Sequence, residues 1–161
     1  MFIRFITTGG TIDKIYFDAL SRFEVGDSAI DNILAEGLVN LDYDVTSMFR
    51  KDSLELTEND RKELHDFVVG DDAKRYVITH GTDTMVETAA VLGTIPGRHI
   101  VLTGALSPAR FRTTDAVFNV GMAVAAVQLV APGVYIAMSG QVFPADRVQK
   151  NRDENRFEPK V

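Results

Sequence analysis

From Arg75 to Gly93 the chain reads Arg75-Tyr-Val-Ile-Thr79, then His80-Gly81, then Thr82-Asp83-Thr84-Met85-Val86-Glu87-Thr88-Ala-Ala-Val-Leu92-Gly93. After Arg75, the first segment is a run of aromatic and β-branched residues, which predicts a buried strand. His80-Gly81 turns the chain. Thr82 to Leu92 predicts a helix, with Thr82 or Asp83 capping its orphan N–H groups and Gly93 ending it. Strand, turn and helix in succession are the building unit of a parallel sheet, because parallel neighbours need a crossover between them.

The alternation continues outward on both sides. Toward the C-terminus, His99 to Thr103 predicts a strand ended by Gly104. Thr113 to Val130 is long and nearly all apolar, which predicts a helix buried on most sides. Met85, Phe118 and Met122 fall at apolar helical positions and read as core. Val134 to Met138 predicts a fifth strand, and Gln141 to Val148 a hairpin or short extra strand. Toward the N-terminus, Thr57 opens a helix with Glu58 and Asp60 in its first turn, an apolar face of Leu64, Phe67 and Val68, and Gly70 at its end. Asp42 to Phe49 alternates weakly and reads as a strand. Ser28 caps a helix to Leu38 with Ile30, Ile33 and Leu34 at helical spacing. Gly10 to Gly26 has no period and is expected to be a loop. Phe2 to Thr7 predicts a strand that stops at Gly9-Gly10. The whole pattern predicts an α/β fold: a single domain over residues 1–150, with a mainly parallel sheet flanked by helices. Residues 151–161 form a charged C-terminal tail, expected to be frayed or held by a partner.

Composition limits the function classes. A chain of 161 residues is about one domain, large enough to bury roughly 70% of its unfolded surface. Hydrophobic and charged fractions of 45% and 25% exclude collagenous, coiled-coil and disordered classes. A net charge of −6 argues against a nucleic-acid partner, which needs a basic stripe. With no cysteine there is no disulfide, thiolate metal site or catalytic thiol, and a cytoplasmic location is expected. The apolar start Met1-Phe-Ile-Arg-Phe-Ile is too short for a signal peptide, and no stretch approaches the ~20 apolar residues of a membrane span. His65, His80 and His99 are scattered, so no metal site is expected. His65 reads as solvated, His80 as a hydrogen-bonded structural histidine, and His99 as a strand start with no partner nearby in sequence. Arg110-Phe111-Arg112 reads as exposed loop.

Ligands of parallel sheets bind outside the carboxyl ends of the strands. That rule points to Thr8–Thr11, His80–Thr84 and Gly104–Pro108. In Thr7-Thr8-Gly9-Gly10-Thr11, two glycines allow a tight turn with exposed N–H groups and present the Thr11 hydroxyl. Alone, such a turn is more often only a turn. It is neither a P-loop nor a Gly-x-Gly-x-x-Gly fingerprint, so dinucleotide binding loses its support. Thr82 and Asp83 serve equally as caps or as ligands for a substrate ammonium. Lys150, taken alone, reads as a solvated surface charge.

Thr8-Gly9-Gly10-Thr11-Ile12 and His80-Gly81-Thr82-Asp83-Thr84-Met85-x-Glu87-Thr88 together resemble the two signature motifs of the bacterial-type L-asparaginases. Asp52-Ser53-x-x-Leu56-Thr57 is similar to the family's serine-bearing segment, and Leu102-Thr-Gly-Ala105-x-x-Pro108 to its Gly-Ala-Met-x-Pro segment. Gly133 to Lys150 is similar to its strand–hairpin–lysine segment. The resemblance covers nearly the whole chain and, in the family, the N-terminal domain. It implies hydrolysis of L-asparagine to L-aspartate and ammonia, with L-glutamine as a second candidate substrate. Thr11 would be the nucleophile and carry the acyl-enzyme ester. Thr82, Asp83 and Lys150 would polarise a hydroxyl or water, and Tyr16 would stand on a mobile loop near the nucleophile. Gly10, Asp52, Ser53, Gly81, Thr82 and Asp83 would bind substrate, with Ser53 and Asp83 holding its carboxylate and ammonium. The general base of each step stays open among Tyr16, Thr82 and Lys150. No cofactor is implied, and a homodimer or homotetramer is. The family's second domain supplies an acid to the ammonium; within this chain Glu24, Asp52 and Glu55 are the candidates for that task. Leu54 stands where relatives often carry a polar residue, which implies weaker substrate binding. The alternatives are a non-catalytic domain that binds an acidic amino acid, and an amidase subunit of a transamidase.

Overall fold

A computed structural model describes residues 1–160. The chain folds as β1 (Phe2–Gly9), the hairpin strands β2 (Lys14–Phe17) and β3 (Arg22–Val25), α1 (Ile30–Glu36), β4 (Asp42–Lys51), α2 (Glu58–Gly70), β5 (Arg75–Thr79), α3 (Met85–Leu92), β6 (His99–Thr103), α4 (Ala116–Leu129), β7 (Gly133–Met138), β8 (Gln141–Pro144), β9 (Val148–Asn151) and β10 (Arg156–Pro159). Six strands form the main sheet in the order β4-β1-β5-β6-β7-β8. The pairings from β4 through β7 are parallel, and β8 adds the antiparallel edge. The expected α/β architecture with a mainly parallel sheet flanked by helices is what the chain adopts.

Both sheet faces are covered. Ile3, Phe5, Val77 and Val101 pack with α1 and α4 on one side, while Ile6, Ile78, Ile100 and Leu102 pack with α2 and α3 on the other. Alternate side chains serve opposite layers, which is why these strands are apolar along their length. The connection from β1 runs through α1 outward to β4. The next returns through α2 across β1 to β5. That reversal opens a crevice at the carboxyl ends of β1 and β5, the place where such sheets bind ligands.

Three expectations are corrected. Residues 10–26 are not a plain loop: a 3-10 turn at Thr11–Asp13 leads into the antiparallel β2–β3 hairpin. Its aromatic residues Tyr16, Phe17 and Phe23 are exposed, so no buried–exposed alternation marked the strands. Helix α4 is not buried on most sides. Ala116, Asn119, Val120, Ala123, Ala126 and Val127 form the buried stripe, whereas Phe118 and Leu129 are 63% and 84% exposed. One helix face meets the sheet, and apolarity of the opposite face does not bury it. Residues 151–160 of the tail are not frayed: β10 pairs antiparallel with β9, and Phe157 is buried in the core, anchoring an otherwise charged segment; residue 161 lies outside the described residues. Residues 141–148 supply the extra strand β8, and a 3-10 turn at Thr82–Thr84 precedes α3.

Candidate functional site

The site forms where the turns after β1 and β5 meet the turn after β4. Gly9 and Gly10 have φ of 97° and 87°, and the Gly10 N–H donates to the Lys51 carbonyl at 2.9 Å. A Cβ on Gly10 would stand 2.5 Å from the backbone of Gly81, and a Cβ on Gly81 would stand 2.7 Å from the Ser53 side chain. Three backbone segments thus touch through two positions that admit no side chain. Thr11 opens its 3-10 turn at this junction. Behind it Asp13 is buried and accepts the Ala29 N–H at 2.8 Å, closing the base of the hairpin. Burial pushes the Asp13 carboxyl up to about 6, against the pull of the Ala29 N–H and Arg110.

Ser53 is buried at the start of a 3-10 turn capped by Asp52, whose carboxylate accepts the Leu54 N–H at 3.2 Å. Glu55 returns the contact by accepting the Asp52 N–H at 3.3 Å. Thr84 donates its hydroxyl to the Ser53 carbonyl at 2.8 Å and fastens this turn to the next. Burial raises the Asp52 carboxyl's affinity for a proton, but the Lys14 ammonium at 2.8 Å and the Leu54 N–H hold it below its ordinary value.

Lys150 is not a solvated charge. Its side chain is 8% exposed, and its ammonium donates to Asp83 Oδ1 at 2.6 Å and Thr82 Oγ1 at 2.8 Å. The β9–β10 pairing sets this position, with Lys150 in register with the buried Phe157. Arg152, on the same segment, donates to the Asp83 carbonyl at 3.3 Å. Because the Thr82 oxygen accepts from Lys150, its own hydrogen points elsewhere and can be given to a second acceptor in the site.

Of the other expected site residues, Tyr16 lies on the exposed hairpin, edge-on to Phe23 at 5.5 Å; Phe23 in turn meets Phe111 at 5.7 Å. Glu24, Asp52 and Glu55 line one cavity of about 470 Å³ together with Lys14, Arg22 and Arg50. Each already has a partner: Arg22 for Glu24, Lys14 for Asp52, and the Asp52 N–H for Glu55. His80 is buried, as a structural histidine should be, and burial lowers its ring to about 4. His99 does find a partner, the distant Val130 carbonyl at 2.9 Å, and His65 contacts Asp66 and Thr94. Phe118, expected in the core, is on the surface. Among the described residues no three acidic or histidine side chains gather as metal ligands, and no helix is long and apolar enough to cross a membrane. Sequence reasoning gave no role to Thr84, which it quoted only as part of a motif, and none to Arg61 or Arg152, whose contacts exist only in three dimensions.

The family model described as Asparaginase, N-terminal, matches residues 2–157. The glutaminase-asparaginase of Acinetobacter glutaminasificans is 30% identical over 165 residues, covering 90% of this chain and 48% of that protein. A glutamyl-tRNA(Gln) amidotransferase component of Methanococcus vannielii is 33% identical over 116 residues, covering 71% of this chain and 24% of that protein. Among solved structures, the thermostable L-asparaginase from Thermococcus kodakarensis matches with a TM-score of 0.83 at 25% identity, covering 99% of this chain and 51% of that one. The chain spans about half the length of these proteins, or less.

Proposed function

The chain belongs to the asparaginase family, and from that premise we propose that it is an amidohydrolase that converts L-asparagine to L-aspartate and ammonia. The observation that carries this reading is the Lys150 ammonium, brought from β9 onto Thr82 and Asp83 at 2.8 and 2.6 Å beside the Gly10–Thr11 turn. A buried lysine held on a carboxylate and a hydroxyl is a means of moving a proton, and Thr11 supplies the hydroxyl that needs one removed.

In the proposed course, Asp83 takes one proton from the Lys150 ammonium, and the freed amine accepts the Thr11 proton through Thr82 as Thr11 Oγ1 attacks the side-chain amide carbon. Backbone N–H groups at the glycine turn receive the developing oxyanion; one such donor contributes ~3–4 kcal/mol. Collapse of the tetrahedral intermediate breaks the C–N bond, and the leaving nitrogen takes the proton that Thr11 gave up, returned by the Lys150–Asp83 pair through Thr82, and departs as ammonia. A water then attacks the β-aspartyl ester, releasing L-aspartate and restoring the Thr11 hydroxyl. Ser53, Asp83, Gly10, Gly81 and Asp52 hold the amino-acid end. The test is ammonia release from L-asparagine and L-glutamine by wild type and Thr11→Ala. Undiminished release by Thr11→Ala refutes the nucleophile.

The same reading includes self-association, for which the exposed apolar face of α4 at Val117, Phe118 and Leu129 is the surface a second copy would cover. Sedimentation of wild type and Phe118→Asp tests it. A second reading, an amidase subunit of a transamidase, is supported by the likeness to the amidotransferase component. Ammonia release that appears only with a partner protein would favour it.

A further inference from the structure

We propose that Arg61, Thr88 and His80 form a buried clamp that locks the Ser53 turn and the Thr82–Asp83 turn into one register. They are positioning residues, acting on the substrate wall through those turns. The proposal rests on the asparaginase reading for what the two turns bind.

Arg61, on α2, reaches in two directions. Its Nη1 donates to the Leu56 carbonyl at 3.0 Å, at the exit of the Ser53–Glu55 turn, and its Nε donates to Thr88 Oγ1 at 3.1 Å. Thr88 Oγ1 lies 2.8 Å from His80 Nε2, and His80 Nδ1 lies 2.7 Å from the Gly81 carbonyl. The direction of every bond follows from the two ends of the chain. The Gly81 carbonyl only accepts, so Nδ1 carries the ring hydrogen and Nε2 of the neutral ring is an acceptor. Thr88 then gives its single hydrogen to Nε2 and accepts from the Arg61 guanidinium, which only donates. One tautomer of neutral His80 satisfies the whole chain of bonds.

Thr88 and His80 are both buried, so water does not replace a lost link. The carbonyl at the end of the chain belongs to the residue directly before Thr82. Gly81 also lies against Ser53 with no room for a Cβ, so a shift of this peptide moves both turns together. The clamp therefore joins α2, α3 and the end of β5 behind the substrate wall. Its task differs from that of Lys150: the lysine engages the Thr82 and Asp83 side chains, and the clamp sets their backbone.

The decisive variant is Thr88→Val, which keeps the shape and removes both hydroxyl bonds. L-Aspartate affinity by calorimetry is expected to weaken about 10- to 100-fold, equivalent to one or two lost hydrogen-bond contributions. KM for L-asparagine should rise in step. Thr88→Ser, which keeps the hydroxyl, should restore both, and Arg61→Lys, which loses the forked donor, should fall between. A purely structural role would lower the melting temperature and the active fraction with KM and aspartate affinity unchanged, and that result overturns the proposal. The geometry has its own readout: side-chain 15N NMR should show the Nδ1–H tautomer of His80 in wild type, and amide exchange at Thr82 and Asp83 should quicken in Thr88→Val. An Nε2–H tautomer, or unchanged exchange, also overturns the clamp. Absence of turnover and of aspartate binding in wild type, with the tautomer and exchange as expected, would refute the asparaginase reading and leave the clamp standing.

Discussion

Lys150→Met separates the site's chemistry from its structural cost. Methionine keeps the apolar length of the lysine stem and removes the ammonium. The folded protein loses two hydrogen bonds, at 2.6 Å to Asp83 and 2.8 Å to Thr82. The abandoned Asp83 carboxylate is not stranded, because its side chain is 39% exposed and water reaches it. The penalty therefore falls well short of the ~3–5 kcal/mol of a broken fully buried pair, and about 1–2 kcal/mol is expected. In a domain of this size that lowers the melting temperature by about 2–8 °C. Catalysis should suffer far more. A positioned proton-transfer group contributes about 10²–10⁴-fold, or ~3–5 kcal/mol of barrier. The assay is coupled detection of ammonia from L-asparagine, run beside thermal unfolding by circular dichroism. A folded Lys150→Met protein whose kcat/KM stays within about tenfold of wild type would refute the assignment of this lysine to the reaction.

Other outcomes follow from the same geometry. Gly10→Ala should cost about 3 kcal/mol or more, because its backbone φ is 87° and the new Cβ meets Gly81 backbone at 2.5 Å; urea unfolding checks this. Tyr16→Phe should leave the melting temperature within about 1 °C, since the side chain is 53% exposed; a kcat lowered by about 10²-fold assigns its hydroxyl to proton transfer, and an unchanged kcat removes it from the candidate bases. Two buried groups oppose each other in pH dependence. Native Asp13 holds its proton to about pH 6, while the unfolded chain releases it near 3.8, so this group's contribution falls as pH rises through that window. Native His80 stays neutral down to about pH 4, while the unfolded ring protonates below 6.5, so its contribution falls as pH drops from 6.5 to 4. Asp13→Asn removes the first slope, and stability of the variant should climb by about 3 kcal/mol from pH 4 to 6.5. Asp52, Asp60 and Asp71 are held below the ordinary carboxylate range and titrate beneath that window. Urea midpoints at several pH values give the sign, and a falling curve would contradict the burial of His80.

Much of the fold was legible because burial on both sheet faces writes itself into composition. Strands such as Tyr76-Val-Ile-Thr79 and Ile100-Val-Leu-Thr103 must be apolar throughout, and glycines end them where the backbone turns. The β2–β3 hairpin was not legible, because its aromatic residues sit in solvent and obey no burial rhythm. Phe157 was not legible either: one aromatic among charges does not announce that it anchors a strand, and that anchor is what places Lys150.

The sequence by itself determined the strand–helix alternation, the turns at Gly9-Gly10 and Gly81, and the chemical types present at their mouths. Local pattern suffices there, since secondary structure and turn chemistry depend on neighbours along the chain. Only the tertiary structure decided that Lys150 is an internal ammonium on Thr82 and Asp83, that Arg61 reaches His80 through Thr88, and that Phe118 faces solvent. Those outcomes depend on residues as far apart as Asp83 and Lys150 sharing one small volume. The energies that settle them, desolvation of a charge and satisfaction of a buried hydrogen bond, exist only once the sheet has brought the strand ends together.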